Sequence, residues 1–148
     1  YTFLLYYGER LSPDGRQLVF TMSDYGNFSI WHKDADLYSV DLETGKIVCL
    51  DALNSDNVES YHSWSSNSRW MVFSSRREDG LYTQPYIAYM RENGETGKPF
   101  LLPQRNPKAF YGAQMNADNL PEFITGNIPY SSREISDFAH RAPSIQVK

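Results

Sequence analysis

The sequence has little cysteine, no long apolar run and no concentration of basic residues. Cys49 is the single cysteine among 148 residues, so no disulfide can form within the chain. No stretch approaches the roughly 20 apolar residues that span a bilayer, and we expect no transmembrane segment. The 14 basic residues are scattered and the formal net charge is −4. Because nucleic-acid binding needs a basic stripe facing the phosphates, we expect no nucleic-acid partner.

Several signatures of catalysis and cofactor binding are missing as well. The chain has no G-x-S-x-G elbow, P-loop, zinc motif or C-x-x-C-H haem site. Cys49 lies in an apolar run and fits a buried strand residue better than a nucleophile, since free cysteine usually packs as a small hydrophobe. We therefore predict no catalytic residue and no cofactor. The chain starts at Tyr1 without a signal-peptide pattern, so we expect it to be a piece of a longer precursor.

Aromatic side chains, in contrast, are abundant. The chain has 11 Tyr, 8 Phe and 3 Trp, and 15% of its residues are aromatic. Such side chains fit the pleated, half-buried surface of a sheet better than a helix. A chain of this length buries about 70% of its unfolded surface and can hold a core. The composition therefore indicates a β-rich domain.

The chain repeats itself. The run LSPDGRQLVFT (11–21) matches WSSNSRWMVFS (64–74), an offset of 53 positions from Leu11 to Trp64. Each copy carries a turn-forming centre, PDG or SNS, followed by Arg and an apolar run. Further on, DLYSVDLETG (36–45) aligns with PYIAYMRENG (85–94), which places the offset there at 49. Each repeat should supply about four short antiparallel strands, the unit of one propeller blade.

The expected organisation is two blades followed by an irregular extension. Residues 1–103 hold the blades, as repeat units of about 8–55 and 60–103, and the extension covers 104–148. A capping box at Ser131–Glu134 predicts a short helix at about 132–141. We expect the apolar stripe of this helix to dock on the blades, and an edge strand at 120–125. The fold class is therefore all-β, a propeller segment of about two four-stranded antiparallel blades with a short C-terminal helix and an irregular tail.

The two runs resemble the WD40-like repeat of the bacterial TolB-type β-propellers. That pattern is a W-S-P-D-G-K-like turn, a strand ending in an aromatic and Ser or Thr, then D-I-Y and D-x-x-T-G. The first copy has Leu11 where Trp is usual, the second has SNS in place of PDG, and the match covers about residues 8–103. The resemblance implies a periplasmic or envelope location. It also implies that further blades, or another copy of the chain, complete the propeller.

Two functional hypotheses follow from this resemblance. The first is a non-catalytic propeller module that presents loops to a protein or carbohydrate partner in the bacterial cell envelope. The alternative is the propeller domain of a hydrolase, or of a metal-dependent enzyme similar to oligogalacturonate lyase. Since no catalytic motif is present, we favour the binding module over the enzyme.

The candidate binding residues begin in the connection after the LSPDGRQLVFT run. It is four residues longer than its counterpart in the second repeat and carries Tyr25, Phe28, Trp31 and His32. Long loops on a rigid scaffold often bind ligands, and exposed aromatics grip a peptide or sugar with little loss of entropy. In the alternative interpretation, Phe28, Ile30 and Trp31 pack beneath the loop as local core.

The remaining candidates are His62, Arg76 and Arg77. His62 precedes Ser-Trp in a first blade strand, which lines the channel of a propeller, where it could meet either arginine. A hydrogen-bonded structural role suits it better than catalysis.

A weak metal candidate is the alternating set His32, Asp34 and Asp36, which would share one face of an extended backbone. This spacing is unspecific, and Asp36 falls on the structural Asp position of the resembled repeat, so we predict no metal site.

Overall fold

The computed structural model describes residues 5–24 and 28–141, with side chains from residue 8 onward. Within them the chain is built mostly of short strands, with a 3-10 turn at Ser29–Trp31 and two short helices. The strands are β1 (Leu5–Leu11), β2 (Gln17–Ser23), β3 (Asp36–Asp41), β4 (Ile47–Cys49), β5 (Glu59–Trp64), β6 (Trp70–Ser75), β7 (Gln84–Tyr89) and β8 (Phe100–Leu101), and the helices are α1 (Pro107–Ala113) and α2 (Ser132–Arg141). The predicted all-β class is confirmed.

The strands form two antiparallel sheets of four, ordered β1-β2-β3-β4 and β5-β6-β7-β8. In each sheet, neighbours in sequence are also neighbours in space, since antiparallel strands need only a short turn between them. Each repeat thus folds as one blade. We name β1–β4 the first blade and β5–β8 the second blade.

The turns that open the two repeats use the same hydrogen bonds. In the first blade the Ser12 hydroxyl donates to Asp14 Oδ1 at 2.7 Å, and in the second the Ser65 hydroxyl donates to Asn67 Oδ1 at 2.7 Å. The next residue adopts the left-handed conformation in both copies, with φ of 73° at Gly15 and 58° at Ser68. Local turn chemistry therefore explains why the two runs fold alike.

The register corrects one predicted alignment. Phe20 pairs with Tyr38 between β2 and β3, and Phe73 pairs with Tyr86 between β6 and β7. The third strands therefore align at an offset of 48, from Tyr38 to Tyr86, and the predicted 49 is wrong by one residue. A slip of one residue exchanges the two faces of a strand. The predicted alignment matched the turn glycines Gly45 and Gly94, which are 49 positions apart, whereas the strand pairing follows the tyrosines.

The two blades stack face to face and in the same sense. Val19 of the first blade is fully buried in one core with Phe73 of the second blade. In the repeat alignment Val19 corresponds to Val72, and Phe73 corresponds to Phe20. Because adjacent residues of a strand lie on opposite faces, the Val19 face of the first blade packs against the opposite face of the second blade. This is the packing of successive blades around a common axis. The shared core also includes Leu37, Leu50, Leu53, Met71, Tyr86, Ala88 and Met90.

The other face of the second blade is covered by the C-terminal extension. Ser74 is fully buried, and its hydroxyl lies 2.6 Å from the carbonyl oxygen of Asp118 and 3.0 Å from that of Asn119. The Tyr111 hydroxyl of α1 donates to the carbonyl of Leu102 at 3.0 Å. The extension thus lies on the face that is equivalent to the buried Val19 face of the first blade.

Helix α2 forms at the predicted residues, but it does not dock. Its capping box is present: the Ser131 amide donates to Glu134 Oε2 at 2.7 Å, and the Glu134 amide donates to Ser131 Oγ at 3.3 Å. However, Ile135 is 52% exposed and Phe138 is 77% exposed, so the docking prediction is wrong. The preceding segment already occupies the free face of the second blade. The strand predicted at 120–125 does not form either, and Pro121 has no amide hydrogen to donate to a ladder.

No helix among the described residues combines the length and apolar character needed to cross a bilayer. Cys49 ends β4, which confirms the predicted strand position, but the residue is half-buried and not fully buried as predicted. Burial raises the pKa of its thiol.

Candidate functional site

Equivalent connections of the two blades meet at one end of the stack. The first-blade loop (residues 24–35) joins β2 to β3, and the second-blade turn (residues 76–83) joins β6 to β7. Thr21 pairs with Leu37, which lies 16 positions later in the chain, and Ser74 pairs with Pro85, which lies 11 positions later. The insertion in the first blade is therefore five residues, one more than the sequence alignment predicted.

The first-blade loop is anchored from beneath. Ile30 is 4% exposed and packs with Ala35 and Val58 of the segment before the second blade. The Ser29 hydroxyl is hydrogen-bonded to the Ser60 hydroxyl in the interior. A loop that is fixed at its centre in this way loses less backbone entropy when its outward side chains bind a partner.

Two aromatic side chains of this loop point outward. Phe28 is 68% exposed and Trp31 is 71% exposed, whereas Ile30 between them is buried. Phe28 also has φ of 61°, a left-handed conformation that costs a bulky residue about 1–2 kcal/mol. Of the three residues in the local-core interpretation, Ile30 alone belongs to a core. Tyr25, the fourth aromatic candidate, lies outside the described residues.

Arg76 brings the second-blade turn against Trp31. Its guanidinium carbon lies 4.2 Å from the centre of the Trp31 ring, a cation–π contact. The residue is only 9% exposed, and its Nε is buried without a hydrogen-bond partner. Burial lowers the pKa of this guanidinium, and the negative charge of Asp79 partly opposes that effect. Arg76 and Trp31 thus form a cationic site at the junction of the blades.

Arg77 is used in the interior instead. Its Nη2 donates to Glu59 Oε1 at 2.9 Å, and its Nε donates to Ser75 Oγ at 3.0 Å. Glu59 is fully buried and also accepts hydrogen bonds from the Ser55 amide and hydroxyl and from the Ser75 hydroxyl. The guanidinium carbon further lies 4.4 Å from the centre of the Tyr86 ring. Arg77 therefore supports the junction of the blades from inside.

The side chain of His62, in the second blade, is hydrogen-bonded to the backbone of the first blade. It is 2% exposed, and its Nε2 lies 2.9 Å from the carbonyl oxygen of Val19 in the first blade. Burial lowers the pKa of His62 to about 4, and the nearby charge of Arg10 adds to the shift. The expected meeting with Arg76 or Arg77 does not occur, since these side chains are engaged by Trp31 and Glu59.

The three metal candidates are not arranged on an extended strand. His32 and Asp34 belong to a turn in which the Ala35 amide donates to the carbonyl of His32 at 3.1 Å, and Asp34 accepts from the Asp24 amide at 2.6 Å. Asp36 opens β3, where burial, and then the charges of neighbouring acidic residues, raise its pKa to about 6. In the part of the chain that the structure describes, no group of three His, Cys, Asp or Glu side chains could hold a metal ion.

Sequence reasoning missed Glu59, the centre of the interior network. A carboxylate in a short polar run gives no signal of burial, and position 6, its repeat counterpart, is Tyr. The available signal was the Arg76-Arg77 doublet, because a buried arginine needs an acidic partner.

No protein-family model matches the chain, and no curated protein matches it. Among solved structures it is similar to the β-propeller domain of the Trilobed protease from Pyrococcus furiosus, with a TM-score of 0.44 and 19% sequence identity. The similarity covers 68% of this chain, which spans 30% of that protein chain. At this TM-score the likeness carries no argument about function.

Proposed function

We propose that this chain is a non-catalytic propeller module that presents the first-blade loop to a partner in the bacterial cell envelope. The observation that carries the proposal is the outward orientation of Phe28 and Trp31 on a loop that Ile30 anchors. Large aromatics of this kind dominate the energetics of binding surfaces, and their truncation often costs about 2 kcal/mol or more. The envelope location rests on the resemblance to TolB-type repeats.

The outer face of the first blade supports a second part of the proposal, that further blades or another copy of the chain complete the stack. Leu18, Tyr38 and Val40 of that face are partly exposed, whereas Phe20 between them is buried. Their counterparts in the second blade lie on the face that packs against the first blade, and the equivalents of Tyr38 and Val40, Tyr86 and Ala88, are fully part of the shared core. The same surface chemistry therefore suits the packing of one more blade.

The test is the binding of the purified chain to arrays of peptides and of glycans, compared between the wild type and Trp31→Ala. We expect the variant to lose at least tenfold in affinity for the ligands that the wild type binds. Phe138→Ala is the matched control, because Phe138 is an aromatic of similar exposure on α2, and it should bind as the wild type does.

Two results would contradict the proposal. One is equal binding by the wild type and Trp31→Ala. The other is a rise in melting temperature with Mn²⁺, Mg²⁺ or Ca²⁺, which would favour the metal-dependent enzyme instead.

A further inference from the structure

We propose that Arg76, supported by Trp31, binds the carboxylate of an acidic peptide. This inference rests on the proposed function, and it names the chemical class of ligand that the first-blade loop would bind. Its basis is a buried guanidinium that lacks an anionic partner at the edge of an exposed aromatic surface.

The arginines of the described residues differ sharply in how they are paired. Arg10, Arg69, Arg77 and Arg91 each form an ion pair with a carboxylate. Water can solvate the charge of the exposed arginines that form no ion pair among the described residues, which are Arg16, Arg105, Arg133 and Arg141. Arg76 is the buried arginine of the described chain, yet it forms neither an ion pair nor a side-chain hydrogen bond there. A buried charge without hydrogen-bond acceptors is costly, and buried charges are normally paired. An unpaired buried arginine therefore points to an acceptor supplied from outside the chain.

The surroundings leave the guanidinium available for such a ligand. Its central carbon lies over the Trp31 ring, 4.2 Å from the ring centre, so the indole supports the charge from one side. The charge of Asp79 raises the pKa of Arg76, but the two side chains are too far apart to form an ion pair. Arg77, which follows Arg76 in sequence, is paired with Glu59. A planar guanidinium that is supported on one face still presents its edge, and the edge is where a carboxylate binds with two parallel hydrogen bonds.

The ligand chemistry fits a peptide better than a sugar. A sugar ring would need a free aromatic face with hydroxyl or amide partners around it, but Arg76 covers one face of Trp31. Among the described residues of the first-blade loop, the one hydroxyl-bearing side chain, Ser29, is buried and bonded to Ser60. An acidic peptide needs only the guanidinium edge for its carboxylate and the exposed ring of Phe28 for its apolar neighbours.

The experiment follows the indole signal of Trp31 and the Nε–H signal of Arg76 by NMR during titration with short probes. The probes are acetyl-Gly-Gly-Asp-Gly-Gly-amide, its Asn counterpart, acetyl-Gly-Gly-Gly with a free C-terminus, and glucuronate. We expect the Asp peptide to bind at least tenfold more tightly than the Asn peptide, because a hydrogen bond to a charged group contributes roughly 10- to 100-fold in affinity. The free C-terminus distinguishes a terminal carboxylate from a side-chain carboxylate as the source.

Arg76→Gln should abolish the preference for Asp over Asn, and Arg76→Lys should weaken it, since lysine keeps the charge but loses the planar fork. Arg91→Gln is the matched control, because Arg91 is an exposed arginine already paired with Glu95, and it should bind as the wild type does. The comparison of Asp and Asn peptides on the wild type does not depend on any variant folding.

The inference is overturned if neither carboxylate peptide shifts the two signals, if Asp and Asn peptides bind equally, or if glucuronate binds and the peptides do not. It is also overturned if Arg76→Gln leaves binding unchanged. Loss of array binding in Trp31→Ala, together with full binding in Arg76→Gln, would defeat this inference and leave the proposed function standing. Full array binding in both variants would defeat the proposed function itself.

Discussion

Replacing Arg77 by alanine should destabilise the protein by about 3–4 kcal/mol. The Arg77 side chain is 18% exposed and its partner Glu59 is 0% exposed, at 2.9 Å. Removing one member of a buried ion pair costs roughly 3–5 kcal/mol, because the other charge stays buried and unpaired. Because Arg77 is slightly exposed, we expect the loss of the ion pair to cost about 3 kcal/mol, the lower limit of that range. The lost contact with the Tyr86 ring adds about 1 kcal/mol.

Urea unfolding of the purified chain, followed by tryptophan fluorescence and by circular dichroism, measures this loss. With a slope of about 1.5–2 kcal/mol per molar urea, the midpoint should fall by roughly 2 M. Arg91→Ala is the matched control, since the Arg91–Glu95 pair has side chains 61% and 63% exposed and should contribute at most about 0.5 kcal/mol.

The double variant Glu59→Leu/Arg77→Met separates the two origins of the effect. With both charges removed, no unpaired charge remains, so the double variant should be more stable than Arg77→Ala alone. The reasoning is refuted if Arg77→Ala costs less than about 1 kcal/mol, or if the double variant loses the sum of the two single changes.

Two further predictions concern the contacts that hold the blades and the extension together. Since the pKa of His62 is lowered from 6.5 to about 4 in the folded chain, folding favours neutral His62; its contribution of about 3 kcal/mol is complete above pH 6.5 and is lost as the pH falls from 6.5 towards 4. Urea midpoints between pH 7.5 and 4.5 should fall more steeply in the wild type than in His62→Gln, and parallel curves would contradict the assignment. Ser74→Ala should cost about 1–3 kcal/mol by removing the one hydroxyl hydrogen that the carbonyls of Asp118 and Asn119 share; amide hydrogen exchange should then quicken at Asp118, and unchanged exchange would show that Ser74 does not hold the extension.

The repeat was predictable where local chemistry specifies it. The turn centres PDG and SNS carry their own hydrogen-bond donors and acceptors, so the offset of 53 between Leu11 and Trp64 was readable from the sequence. The third strand has no such marker, and its register is set by pairing with the second strand. The pairing of β1 with β2 and that of β5 with β6 each contain one irregularity, and these were equally hidden. Gly8 there has φ of 63° and its counterpart Tyr61 has φ of 48°, although tyrosine disfavours that conformation.

The first-blade loop was predictable as a distinct region, but the orientation of its side chains was not. The length and the aromatic content of the first-blade loop marked it correctly as different from its counterpart. Which of Phe28, Ile30 and Trp31 turns inward depends on Val58, which belongs to the segment entering the second blade. A short turn has no periodicity of its own, so tertiary packing decides between the core and the surface interpretation.

Arg76 and Arg77 show how far neighbouring, identical residues can diverge in role. The sequence contains them as one doublet, yet Arg77 reaches the buried carboxylate of Glu59 and Arg76 reaches the exposed ring of Trp31. The difference arises because Glu59 pairs across the sheet with Ser75, which brings the acid beside the arginine that folds back onto the Ser75 hydroxyl. The two positions should therefore respond in opposite ways. Substitution of Arg77 removes stability whether or not a ligand is present, whereas substitution of Arg76 removes an unpaired buried charge and should cost little stability while changing what the surface can bind.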